Sequence, residues 1–272
     1  MMTRPELRDF SFFLIKLALI VMVVRVLLVS PFSIPSESMQ PRLLIGDYLL
    51  VAKWPYGYSK YAVPYDLVPF EGRLLGRSPE RGDVVVFDAP AQPGKDWIKR
   101  VIGLPGDRVQ MIGGVVQLNG KPVPRTRIAD LVIPVAPNMI AASAAENALS
   151  PCFAADFEQK SPSGEHVCRY PRFRETLPNG KSYDVLDLFD SETDNTSAYL
   201  VPAGHVFVMG DNRDRSRDSR FAVENGGVGM LPMDNLVGRA LVSFFSTDGS
   251  GSVAKPWTWP GATRTDRIGE GF

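Results

Sequence analysis

The sequence predicts a mainly β protein: an N-terminal transmembrane helix followed by a β-rich core with an inserted smaller β domain. Three observations carry this. Residues 10–32 are apolar apart from Ser11, Lys16, Arg25, Ser30 and Pro31. The 23 prolines and 24 glycines are scattered between many short apolar runs, a punctuation that suits strands and turns better than long helices. Between about Arg108 and Pro202 the composition shifts: this stretch holds both cysteines, Pro162–Gly164 (Pro-Ser-Gly) and the acid-rich Asp187–Asn195.

About 23 residues at ~1.5 Å each span roughly 34 Å, enough to cross a bilayer core with some tilt. Lys16 and Arg25 leave only Leu17–Val24 uninterrupted, but both lie near the ends, where long cationic side chains snorkel to the interface. Arg4 and Arg8 precede the run, and no small-x-small cleavage site follows it, so an uncleaved anchor is expected rather than a removed signal. Arg42 is the first basic residue beyond it, a slight positive-inside bias that favours a cytoplasmic N-terminus.

Past the anchor come runs of branched and aromatic residues bounded by Gly, Pro or Asp. These are Tyr48–Val51, Val84–Phe87, Trp97–Ile102, Val115–Leu118, Val206–Met209 and Leu236–Phe245, each read as a strand. Asn119-Gly120 after Val115–Leu118 reads as a hairpin turn. Asn138–Leu149 is Ala-rich and reads as one short helix. The expected organisation is residues 1–33 as stub and anchor, 34–107 as the first part of the core, 108–202 as the inserted domain, 203–250 as the second part of the core, and 251–272 as a covering tail.

Composition excludes several functions. Lys+Arg and Asp+Glu are both 30, which gives no electrostatic reason to expect nucleic acid. His166 and His205 are the only histidines, too few for a His-rich metal site, and Cys152 with Cys168 cannot make a zinc site. No metal and no cofactor are expected.

Three stretches carry chemistry: Pro35-Ser36-Glu37-Ser38-Met39-Gln40-Pro41, Asp96–Asp107 and Gly210–Arg220. A serine hydroxyl needs a base, and with histidine scarce a lysine held neutral by burial is the alternative. Lys99 sits in a strand where alternation places Trp97 and Val101 on its face, the apolar setting that desolvation requires. Alone, Lys99-Arg100 reads better as a charged guard on an exposed edge, and Arg213–Arg220 as a solvated loop.

Together the three stretches resemble the motifs of type I bacterial signal peptidases, membrane-anchored Ser-Lys proteases. The resemblance covers the anchor, residues 34–110 and about 203–245. It implies a β-rich catalytic core that cleaves signal peptides from exported preproteins. It also implies a nucleophile at Ser38, a general base at Lys99, an oxyanion hole from the Ser38 N–H and the Ser36 hydroxyl, and Ser216 hydrogen-bonding the Lys99 amine. Asp218, Arg220, Asp211 and Arg100 are implied as supporting residues, the last two as an ion pair. Ile34, Pro35, Met39 and Ile98 are expected to line apolar substrate pockets, with the substrate strand adding beside Asp96–Ile98.

Glu37 departs from the resemblance, since a small residue is common between the two serines. The implied location is the bacterial cytoplasmic (inner) membrane, single-pass, with the catalytic part on the outer, periplasmic side. The implied partners are signal peptides and the lipid bilayer. In that oxidising compartment Cys152 and Cys168 are expected to bridge, with two buried thiols as the alternative. A narrow-substrate processing peptidase and an inactive anchored interaction module remain the alternative functions.

Overall fold

The apolar N-terminal run is helical at first and then changes character. In the computed structural model, which describes residues 4–63 and 71–272, α1 (Arg4–Val23) continues into one π turn, Val24–Leu28. Arg8–Leu28 is long and apolar enough to cross a bilayer, and none of it is buried against the protein. The span stops short of the Phe32 limit expected from hydropathy, because Val29–Ser33 forms a strand, β1. Pro31 has no N–H to give a helix and disfavours helical backbone at Ser30, whereas an edge strand tolerates it.

Fourteen further strands follow in order. The first six are β2 (Asp47–Ala52), β3 (Val84–Asp88), β4 (Asp96–Gly103), β5 (Arg108–Ile112), β6 (Val115–Leu118) and β7 (Lys121–Pro122). Next come β8 (Arg125–Pro134), β9 (Glu158–Lys160), β10 (His166–Thr176), β11 (Ser182–Leu186) and β12 (Tyr199–Leu200). The last three are β13 (His205–Met209), β14 (Leu231–Pro232) and β15 (Leu236–Ser246). They form a seven-stranded sheet, β1-β2-β15-β3-β4-β13-β14, and two four-stranded ones, β11-β10-β8 with β9 on β10, and β12-β5-β6-β7. Strands 5 to 12 thus lie outside the seven-stranded sheet.

The seven-stranded sheet is packed on both faces, as alternation in its central strands requires. Val84 and Val86 of β3 point into one apolar cluster with Ile34, Met39, Leu49 and Ile98. Val85 and Phe87 point into the other, with Tyr56, Val101, Val206 and Val208. Phe32 of β1 packs on the first cluster beside Ile98 of β4, four places away in the strand order, so the sheet curls around that core. Residues 34–45 fill the concave side: Met39 and Leu43 are fully buried there.

At Asn119 and Gly120, φ is +54° and +77°, the two positive values that a two-residue hairpin turn between β6 and β7 needs. The short helix, α2, runs over Pro137–Ala145 rather than Asn138–Leu149. Proline suits its first turn, and Asn147, in the left-handed region at φ +54°, follows its last turn.

Cys152 and Cys168 form a disulfide between the stretch after α2 and β10, inside a cluster with Ile45, Met139 and Leu186. Closing a loop of this size stabilises by about 3 kcal/mol in the chain-entropy model. The C-terminal segment, with α3 (Trp259–Ala262), is fastened to the start of β2. Arg267 donates to both carboxylate oxygens of the fully buried Asp47, which also accepts from Ser246.

Candidate active site

The turn that follows β1 brings Ser38 over the concave core, and β4 brings Lys99 to it from the other side. Lys99 Nζ donates to Ser38 Oγ at 2.9 Å and to its own neighbour's carbonyl, Ile98 O, at 2.9 Å. Both side chains are buried, and the amine lies 5.6 Å from the centre of the Trp97 ring. Burial brings the Lys99 amine down to about 8, against the opposing pull of the Asp218 and Asp211 carboxylates. Ser36 is exposed, with its hydroxyl 3.4 Å from that of Ser38.

The Gly210–Arg220 loop packs against this pair. The Ser38 carbonyl accepts from the Asn212 N–H at 3.1 Å, tying the two segments by the backbone. A Cβ on Gly210 would stand 2.3 Å from Ser216 Oγ and 2.5 Å from Ser38 O, so only glycine fits between the Ser38-bearing turn and the loop. Ser216 is buried. Its hydroxyl makes no hydrogen bond to Lys99, but it lies near enough to Asp218 to favour the ionised carboxylate.

Asp218 accepts from the Gly210 N–H at 3.0 Å and from Arg220 at 2.9 and 3.0 Å. Burial alone would raise its carboxyl, but Arg220, the Gly210 N–H and Ser216 together outweigh that and hold it below the ordinary range. Arg100 and Asp211 form a buried two-bond pair at 2.7 and 2.6 Å, and the Arg100 guanidinium lies 4.4 Å from the centre of the Tyr183 ring. These ion pairs fix the loop, since breaking one partner of a buried pair leaves an uncompensated charge.

A cleft of about 780 Å³ opens above the pair, lined by Ile34, Pro35, Ser36 and Ser38 on one wall and by Asp96–Lys99 on the other. Met39, expected among the pocket residues, is instead fully buried in the core beneath the serine. The hydrogen-bonded turn through Glu37–Leu43 leaves Ser38 at the cleft and seats Met39 in the apolar cluster with Leu43 and Leu49. Along β4, pairing to β13 reaches only Arg100, Val101 and Gly103, which leaves Asp96–Lys99 without a strand on that side among the described residues.

The two histidines stand apart from the cleft. His205 opens β13 with Nδ1 2.9 Å from Ala203 O, and exposed His166 lies against Glu158. Glu37, the departure noted in the sequence, is partly buried at the cleft and accepts from Arg215 at 3.3 Å. Burial raises its carboxyl, with Arg215 pulling the other way. Arg215 also pairs with Glu146 just beyond α2 and lies 4.2 Å from the centre of the Phe153 ring.

Two residues escaped the sequence reading. Arg213 and Glu175 form a completely buried pair at 2.9 and 2.5 Å, and Tyr183 donates to the same carboxylate at 2.8 Å. An arginine inside the charged run and a glutamate in an Arg-rich strand look like surface residues. Only the fold brings them together.

A buried serine hydroxyl in contact with a buried amine, on the floor of an open cleft, is an arrangement that nucleophilic catalysis can use. The chain belongs to the signal peptidase family, peptidase S26, whose model matches residues 7–245, and it is a serine endopeptidase. It is 35% identical over 253 residues to the signal peptidase I of Rickettsia typhi, covering 90% of this chain and 81% of that one. With the signal peptidase I of Rickettsia prowazekii it shares 35% over 237 residues, covering 84% and 76%. A solved signal peptidase I from Enterococcus faecalis V583 matches 60% of this chain and 97% of its own at 22% identity, with a TM-score of 0.29, too low to compare architectures.

Proposed function

We propose that this chain is a membrane-anchored endopeptidase that removes signal peptides from exported preproteins with a Ser38–Lys99 dyad. The observation that carries this is the 2.9 Å contact between Lys99 Nζ and Ser38 Oγ in a site whose burial brings the amine down to about 8. In the neutral amine the contact runs the other way, with the Ser38 hydroxyl donating to Nζ. Lys99 takes that proton as Oγ attacks the scissile carbonyl. The oxyanion is met by the Ser38 N–H and by the Ser36 hydroxyl, 3.4 Å from the attacking oxygen. Lys99 then gives its proton to the leaving amine, and water, activated by the same amine, hydrolyses the acyl-enzyme.

Ser216 lines the cleft from the loop side, and Asp218, Arg220, Asp211 and Arg100 hold that loop. The substrate lies extended along Asp96–Ile98, whose β13 side has no paired strand among the described residues, with Ile34, Pro35 and Ile98 forming shallow apolar pockets. Arg8–Leu28 anchors the enzyme in the cytoplasmic membrane, with residues 34–272 on its outer face. Residues 108–202 act as a unit inserted into the catalytic core, a division supported by the membership of β5–β12 in the two smaller sheets.

The test is to incubate the detergent-extracted protein with several unrelated preproteins and sequence the new N-termini. Cleavage of most of them after small residues, lost in Lys99→Arg, is the expected result. Cleavage of one alone would indicate a narrow processing enzyme, and cleavage of none would reject the proposal.

A further inference from the structure

The stretch between β11 and β12 folds back against the Gly210–Arg220 loop and brings three carboxylates together. Asp187, Asp194 and Asp214 each offer an oxygen within 4.8 Å of the other two. Unpaired like charges at such distances destabilise a fold unless something neutralises them.

The hydrogen bonding around the three is incomplete in a specific way. Asp187 accepts from Arg125 at 2.5 Å. Asp194 accepts from the Ser191 N–H at 2.7 Å through Oδ2, and Asp214 accepts from the Leu188 N–H at 2.6 Å through its Oδ2. The other oxygens, Asp194 Oδ1 and Asp214 Oδ1, are shut off from solvent and have no partner. Asp194 as a residue is only 6% exposed. A buried carboxylate oxygen normally finds a donor or a cation, so two of them in one cluster point to a missing positive group.

We propose that Asp187, Asp194 and Asp214 bind one divalent cation of calcium's size and hardness. Three carboxylates less the Arg125 charge leave a net charge of about −2, which a divalent ion cancels. Oxygens sharing one calcium at ~2.3–2.6 Å lie no more than about 5 Å apart, and the cluster meets that limit; all-oxygen ligation selects a hard cation. The histidine and cysteine arithmetic of the sequence excluded a zinc-type site and is silent about this one. The cation would cross-link the end of β11, the Glu192–Asp194 turn and the loop that carries Ser216, two residues from Asp214. Its role is to hold that loop, and it takes no part in the peptidase chemistry.

The full chain in detergent is stripped with EDTA, exchanged into chelator-free buffer and titrated calorimetrically with calcium chloride. Its melting temperature is measured with and without calcium. One calcium per chain is expected, with a melting temperature about 5–10 °C higher at 100 times the Kd. In Asp194→Asn both the binding heat and the shift should vanish. Its melting temperature in EDTA should equal or exceed that of the parent, because a repelling charge is gone while the Ser191 contact survives.

Asp190→Asn, an exposed acid nearby, should leave binding and shift unchanged. If Asp194→Asn does not fold, Asp187→Asn serves the same comparison. No calcium heat in the parent protein, a shift that survives in the cluster variant, or an equal loss in Asp190→Asn would overturn the proposal. None of these readouts depends on peptidase activity, so they stand or fall apart from the function proposed above.

Discussion

Arg213 of the Ser216-bearing loop and Glu175 of β10 face each other in a fully buried two-bond pair, 38 residues apart in sequence. This pair ties the four-stranded β11-β10-β8 sheet to the Gly210–Arg220 loop. Replacing Glu175 by Ala leaves a guanidinium buried without a counter-charge and should cost about 3–5 kcal/mol. A joint Arg213→Met, Glu175→Leu exchange should recover most of it. Urea unfolding of the three proteins checks this, and a single variant within 1 kcal/mol of the parent would contradict it.

On the proposed mechanism Lys99 sets the pH dependence. With the amine at about 8, the neutral base is the minor form at pH 7 and the major form at pH 9. Turnover should therefore rise with pH through an apparent pKa near 8. Lys99→Arg cannot lose its proton and should be inactive across the range.

Stability follows the same group. The folded amine titrates near 8 and the unfolded one near the ordinary lysine value of 10.5, so the unfolded chain binds the extra proton between those values. Stability from this group accordingly rises with pH across that window, and below pH 8 the fold carries a deficit of about 3 kcal/mol. Lys99→Met should be inactive yet more stable at pH 7, and a denaturation midpoint below that of the parent would refute it.

Ser36 and Ser38 should separate cleanly. Ser38→Ala removes the nucleophile and should abolish turnover. Ser36→Ala removes one oxyanion donor and leaves the backbone donor, a loss of roughly 100–1,000-fold in kcat with little change in KM. Single-turnover kinetics on a peptide substrate distinguish the two. Equal inactivity in two folded proteins would reject the auxiliary role of Ser36.

The boundary of the anchor can be tested by truncation. A chain beginning at Val29 keeps β1, whose five residues pair with β2 from Val29–Ala52 to Ser33–Tyr48. It should cleave a short peptide in detergent. A chain beginning at Ile34 loses that strand and uncovers the core at Leu49 and Val51, and should unfold or lose activity. Equal activity of both would show that β1 is not needed to seat Ser38.

Six strands and the hairpin at Asn119-Gly120 were readable because short branched runs between turn residues have few alternatives to a strand. The long strands β8 and β10 were not, since Arg127, Arg169, Arg172 and Arg174 interrupt the apolar alternation and Pro171 sits where the β10 ladder slips. Their exposed faces carry charge, and only pairing with each other makes them strands. In the site, the Ser38 and Lys99 motifs were legible, as was the apolar setting of Lys99. The burial of Met39 was not, because which side of a turn faces the core depends on the curl of a sheet built from distant strands. Asp47 gave no signal either: its partner Arg267 is 220 residues away.

The short path from membrane to serine has a consequence for substrates. Nine residues lie between Leu28 and Ser38, at most about 35 Å of extended chain from one to the other, and β1 holds five of them straight. With the anchor reading proposed above, the enzyme works as a fixed-height gauge. It can reach a scissile bond only in a thin slab above the lipid surface, whatever the side chains around that bond. A precursor whose apolar segment is separated from its processing point by a long stiff spacer would present a suitable sequence at an unreachable altitude. Measuring distance would then reject substrates that the shallow pockets alone accept.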